Sequence, residues 1–242
     1  MRIIFKIKMR FILNWGGATQ AAGSAVSRLK EQTQPYHGCT ATYRKLCRKR
    51  ESTGARVRIQ RTFRAETAHK VPGAYTCRCH HLHGHSYRFE VEAQAKVGDA
   101  ADMVIDFKLL EVCGIKDFID GFDHAVVIKN DDDLVPLIDR VNPDRHLLVP
   151  FLPTAEMIAK ACFVVCSELL RAYVEPLGGS AAISSVRVYE TVRGAAEYGR
   201  EDAVDDSFPA VDLNRWVVSD SIRQQWSAHP ALERLLRDPV QA

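Results

Sequence analysis

From His85 to Val97 the chain reads HSYRFEVEAQAKV, and this run constrains the fold more tightly than any other. Tyr87, Phe89, Val91, Ala93, Ala95 and Val97 occupy one parity, and Arg88, Glu90, Glu92, Gln94 and Lys96 the other. Successive side chains of a strand point to opposite faces, so the alternation predicts a strand with one apolar face and one solvated face. Upstream, VRIQRTFRAETAH repeats the pattern with Val57, Ile59, Phe63 and Ala65. The intervening KVPGAYTCRCHHLHG carries Pro72 and Gly73 and reads as a loop.

Further along, MVIDF (103–107) reads as a short strand, and KLLEVCGIKDFID reads as a helix. Residues from about Gly121 to Pro153 read as a connection. Thr154 is an evident N-cap for a long helix, TAEMIAKACFVVCSELLRAYV, which Pro176 and Gly178 end. ISSVRVYETV is another strand, and AAEYG begins a last short one. The order strand, strand, helix, helix, strand, strand predicts an α+β domain with helices on one face of an antiparallel sheet. ALERLLR suggests a helix near the end of the chain.

The charge is unevenly distributed. Residues 1–55 carry 11 Lys/Arg and 2 Asp/Glu, a net +9, against −6 for the remainder, which gives the overall +3. A basic arm on an acidic body raises a nucleic-acid partner as an alternative. The low hydrophobicity and missing periodicity of GGATQAAGSAVS argue instead for an unstructured leader over 1–55. The expected division is therefore a leader, a folded domain over 56–200 and a C-terminal extension over 201–242. No apolar run approaches a membrane span, and Lys6, Lys8 and Arg10 interrupt the one that resembles a signal peptide. Seven cysteines, an odd number with no secretory signal, predict reduced thiols and a cytoplasmic protein. Cys162 and Cys166, one helical turn apart in an apolar stretch, read as core packing.

Five of the nine histidines fall between His69 and His85. His83 and His85 share a strand face, and His69 ends the preceding strand at an inward position. If the two strands pair as a hairpin, three imidazoles converge at one end of the sheet. Three neutral histidines and an open position make a catalytic zinc arrangement. A closed structural zinc knuckle that also uses Cys77 and Cys79 fits the spacing equally well. His80, His81 and His146 read as surface.

HGH at 83–85, Cys79 four residues upstream and AETAH ending in His69 resemble the metal-site motifs of the 6-pyruvoyltetrahydropterin synthase superfamily. MVIDF, FDHA (122–125), LPTAEMIA (152–159), VRVYET (186–191) and AEY (196–198) follow in the matching order. The PTAE helix start and the ET…AEY ending are most similar to the 6-carboxytetrahydropterin synthases of queuosine biosynthesis. The resemblance implies the tunnelling fold: a four-stranded antiparallel sheet carrying two helices, assembled as a homohexamer (a dimer of trimers) with active sites between subunits. It implies Zn2+ on His69, His83 and His85, with Cys79 as catalytic thiol and Asp123 and His124 as a proton-transfer pair. Glu190 would bind the pterin ring, and the segment at Thr154 would line its pocket. The implied substrate is 7,8-dihydroneopterin triphosphate, converted with water to 6-carboxytetrahydropterin, acetaldehyde and triphosphate. The alternatives are the triphosphate-eliminating 6-pyruvoyl reaction, for which Cys77 has the better spacing, and a zinc-stabilised nucleic-acid-binding module.

Overall fold

The computed structural model of the protein describes residues 55–97, 103–204 and 207–237. The expected leader lies outside them except for its last residue.

The two alternating runs form an antiparallel hairpin of two 14-residue strands. β1 (Arg56–His69) and β2 (His83–Lys96) pair in register from Arg56 opposite Lys96 to His69 opposite His83. The odd residues of β2 from Tyr87 to Ala95 are all buried, which is what fixes the register: a one-residue slip would turn this face to water. β5 (Ala182–Tyr189) adds antiparallel to β2, with a bulge at Glu92/Ala93, and β6 (Ala195–Gly199) adds antiparallel to β5. The long helix, Ala155–Val174, packs on β5 and β6. Its buried stripe includes Cys162 and Cys166, whose thiols burial holds well above the usual range. Thr154 caps it, its hydroxyl accepting from the Met157 N–H at 3.3 Å.

This antiparallel core is part of a larger, mixed sheet. Among the described residues the sheet has seven strands in the order β6-β5-β2-β1-β3-β4-β7, which corrects the four-stranded antiparallel expectation. The three additional strands are β3 (Ala125–Lys129), β4 (His146–Val149) and β7 (Val217–Val218). β3 runs parallel to β1, β4 parallel to β3, and β7 antiparallel to β4. β3 and β4 lie in the stretch that reads as a connection. They are short, and HLLV is buried at every position, so neither shows the period-two signal of a half-exposed strand.

Two more expectations change. MVIDF forms no strand: Val104 and Ile105 are buried, but the backbone turns there, and the Asp106 carboxylate accepts from the Lys108 N–H at 2.7 Å. The helix expected after it is broken at Gly114 (φ +104) into α1 (Leu109–Val112) and α2 (Ile115–Asp120). α3 (Val135–Val141) lies between β3 and β4, and the long helix is then α4.

The tail packs into the same core. After β7 come α5 (Asp220–Ser227) and α6 (Pro230–Arg237). Trp226 is fully buried, its ring centroid 5.2 Å from that of Phe118. His146, expected at the surface, is buried as well. Its Nδ1 donates to the Asn142 carbonyl at 3.0 Å, and its backbone exchanges bonds with Ser219 of the tail.

Candidate metal centre

The hairpin register determines the site. His69 lies opposite His83, and Thr67 opposite His85, so the three imidazoles share the inward face at the open end of the ladder. One ligand atom from each falls within 4.8 Å of the others, the one such group of histidine, cysteine or acidic side chains among the described residues. Cys77 and Cys79 stand outside it, which removes the closed knuckle.

Two of the tautomers follow from hydrogen bonding. His69 Nδ1 lies 2.8 Å from the Pro153 carbonyl, and His83 Nδ1 lies 2.7 Å from the His81 carbonyl. A carbonyl only accepts, so each Nδ1 carries the proton and each Nε2 presents a lone pair. Those two Nε2 atoms face one another at 3.1 Å, so neither can donate to the other. His85 Nε2 is buried with no hydrogen-bond partner. Two inward lone pairs beside a buried ring nitrogen without a hydrogen bond are unfavourable alone and complementary to a cation. Nitrogens about 2.0–2.1 Å from one tetrahedral ion stand roughly 3.3 Å apart, close to the observed spacing. Burial lowers the pKa of His69 and of His85, more than the nearby Glu190 carboxylate raises it, which favours the neutral, ligating form. The residues therefore fit a metal ion, and the carbonyls on His69 and His83 are the outer partners such ligands usually have.

Glu190 follows directly on β5 and points to the same place. Its Oε1 lies 3.5 Å from His69 Nε2, 4.0 Å from His85 Nε2 and 3.3 Å from the Tyr87 hydroxyl, which donates to it. Burial, then the Glu190 charge, pushes the Tyr87 hydroxyl far up, so it stays a neutral donor. Thr154 is one residue beyond Pro153, so the cap of α4 also fixes the carbonyl that orients His69.

Cys79 is half-buried in a turn of 3-10 helix, Cys77–His80, and Cys77 is exposed. The Cys79 carbonyl accepts from the Val71 N–H at 2.9 Å, which ties the turn to the chain just past His69. His80 Nε2 bonds the Ala74 carbonyl at 2.6 Å, and His81 is exposed.

Asp123 and His124 form a pair of their own, with His124 Nδ1 donating to Asp123 Oδ2 at 2.9 Å. The second carboxylate oxygen accepts from the Glu66 N–H at 2.8 Å, and the Glu66 carbonyl accepts from the His124 N–H at 2.7 Å. Adjacent residues can pair because the chain bends here: His124 has φ +57, the one positive value at a non-glycine among the described residues. His124 of the pair lines an open groove of about 350 Å3, with Glu66, Gly84, His85 and Ser86 among others. Among the described residues, the pair's hydrogen bonds and ion pairs do not reach the three histidines or Cys79. The Pro153 carbonyl, Tyr87 and Glu66 have no counterpart in the sequence reading; inward parity marks Tyr87, and nothing local marks the others.

The family model for 6-pyruvoyl tetrahydropterin synthase matches residues 58–201. The 6-carboxy-5,6,7,8-tetrahydropterin synthase of Aquifex aeolicus is 30% identical over 163 residues, covering 59% of this chain and 98% of that protein. The protein of that name from Helicobacter pylori is 28% identical over 188 residues, covering 76% and 93%. Among solved structures, an uncharacterized protein from Wolinella succinogenes is 26% identical, covering 61% of this chain and 99% of its own, with a TM-score of 0.49. Caenorhabditis elegans 6-pyruvoyl tetrahydropterin synthase is 19% identical, covering 61% and 97%, with a TM-score of 0.43. A match over more than half of the chain, and a relative covered almost end to end, give one conclusion: the chain belongs to the 6-pyruvoyl tetrahydropterin synthase family.

Proposed function

We propose that the protein is a zinc-dependent 6-carboxy-5,6,7,8-tetrahydropterin synthase. It acts with water on 7,8-dihydroneopterin triphosphate and releases acetaldehyde and triphosphate. The observation that carries the reading is the inward convergence of three imidazole nitrogens beside a carboxylate. The choice within the family rests on relatives named for the carboxy product, and on Cys79 being the half-buried thiol tethered next to His69 while Cys77 is exposed.

His69, His83 and His85 would hold the zinc, which supplies Lewis-acid polarisation of the substrate side chain. Glu190 would accept from the two adjacent N–H donors of the pterin ring and so fix its orientation. Tyr87, kept neutral, steadies that carboxylate. Cys79 would exchange a proton with the side chain, and Asp123 would hold His124 in one tautomer for proton transfer. The exposure of the pair agrees with a homohexamer whose active sites lie between subunits, each completed by a neighbour. No described helix is long and apolar enough to cross a membrane. The basic leader is a dispensable arm in this reading, and nucleic acid has no part in the reaction.

The test compares two variants of the full chain. His83→Ala should lose most of the zinc and all turnover. Cys79→Ala should keep full zinc and lose turnover. Full zinc occupancy in His83→Ala, or normal turnover in Cys79→Ala, contradicts the assignment.

A further inference from the structure

The turn that presents Asp123 and His124 is held from two sides. On one, the Glu66 backbone takes both the Asp123 carboxylate and the His124 N–H. On the other stands Arg145, which precedes β4. Its Nη2 donates to the Asp120 carbonyl at 3.0 Å and also to the Asp123 carbonyl. Its Nη1 donates to Gln225 Oε1, on α5 of the tail, at 3.1 Å. Its own carbonyl is bonded by the Val126 N–H at 2.9 Å and by Asn142 Nδ2 at 2.8 Å, so both ends of the residue are fixed.

This arrangement suits a strained turn. A histidine at φ +57 persists only where its surroundings hold it there. The carbonyls at the end of α2 are oriented acceptors, and a planar guanidinium bridges two of them with fixed geometry. Next to Gln225, Trp226 donates from Nε1 to the Asp117 carbonyl at 3.1 Å, so the tail grips α2 at a second point. Burial opposes ionisation of Asp123, but the Glu66 N–H, His124 and Arg145 together hold its carboxyl below the usual range.

We propose that Arg145, oriented by Gln225, is a positioning residue that holds the Asp123–His124 pair in its working geometry and thereby couples the C-terminal tail to turnover. The proposal rests on the reading of that pair as the proton-transfer group.

The experiment is a double-mutant cycle on the zinc-loaded full chain with 7,8-dihydroneopterin triphosphate. Arg145→Met should lower kcat by about tenfold to a hundredfold, as misplacing a reacting group does, with KM within about twofold. Arg145→Lys should recover part of the loss, and Gln225→Met should show a smaller loss in kcat. In an Asp123→Asn background, Arg145→Met should cost nothing further, because the residue acts through the pair. A merely structural arginine would instead give losses that multiply, and that result overturns the proposal, as does an unchanged kcat in Arg145→Met. If Arg145→Met does not fold, the cycle is read with Gln225→Met by the same criteria. Normal turnover in Asp123→Asn defeats the reading of the pair, and this proposal with it. Impaired Asp123→Asn alongside normal Arg145→Met defeats this proposal alone.

Discussion

At the scale of single residues, the site depends on where protons cannot be. His69 and His83 each give their only proton to a backbone carbonyl, so their Nε2 atoms confront one another as lone pairs. Glu190 adds a negative charge at 3.5 Å from His69 Nε2. That position admits two uses for the carboxylate, acceptor for the pterin ring or ligand to the metal, and one substitution separates them. Glu190→Gln keeps the shape and puts a donor where an N–H must be received. We expect full zinc content and a loss of about 2–3 kcal/mol in transition-state stabilisation, measured through kcat/KM. Loss of zinc would identify the carboxylate as a ligand, and unchanged kinetics would remove it from the site. The histidines were legible because strand parity and hairpin pairing put them on one face, and Glu190 was legible as an inward carboxylate on an apolar strand. Pro153 was not: it acts through its carbonyl, 84 residues from the ring it orients, and no side-chain pattern marks that. Arg145 was illegible for the same reason, since its partners are backbone oxygens of a distant turn.

At the scale of elements, contrast in burial governs what can be read. β1 and β2 each have a wet face and a dry one, and their alternation gives the hairpin directly. β3 and β4 sit inside the sheet between other strands, are five and four residues long, and lose that contrast. The broken helix has a different cause. A Cβ on Gly114 would lie 2.8 Å from His229 Nδ1, and one on Gly121 would lie 2.4 Å from Trp226 Nε1. The two glycines at the ends of α2 are thus the seats on which the tail helices rest, and the need for them appears only once the tail is in place. Gly121→Ala should push Trp226 out of its seat and destabilise the fold by about 1–3 kcal/mol, the usual cost of overpacking. Thermal unfolding, with tryptophan emission as the reporter, measures this. An unchanged midpoint and emission maximum would show that the tail does not bear on α2.

At the scale of the whole molecule, the tail is part of the body. β7 closes one edge of the sheet, and Trp216, Trp226 and Leu232 belong to the main core cluster. The family match begins only at residue 58, after the basic leader. Deleting residues 1–55 should therefore leave unfolding temperature, oligomeric state and turnover as in the full chain. Insolubility or loss of the oligomer after that deletion would make the leader structural. Salt-sensitive binding to DNA or RNA that disappears with it would favour the nucleic-acid alternative. The product mixture decides which reaction the protein carries out. Zinc-loaded protein incubated with 7,8-dihydroneopterin triphosphate should release acetaldehyde and triphosphate in equal amounts and leave 6-carboxytetrahydropterin. Triphosphate release without acetaldehyde, leaving 6-pyruvoyltetrahydropterin, would contradict it.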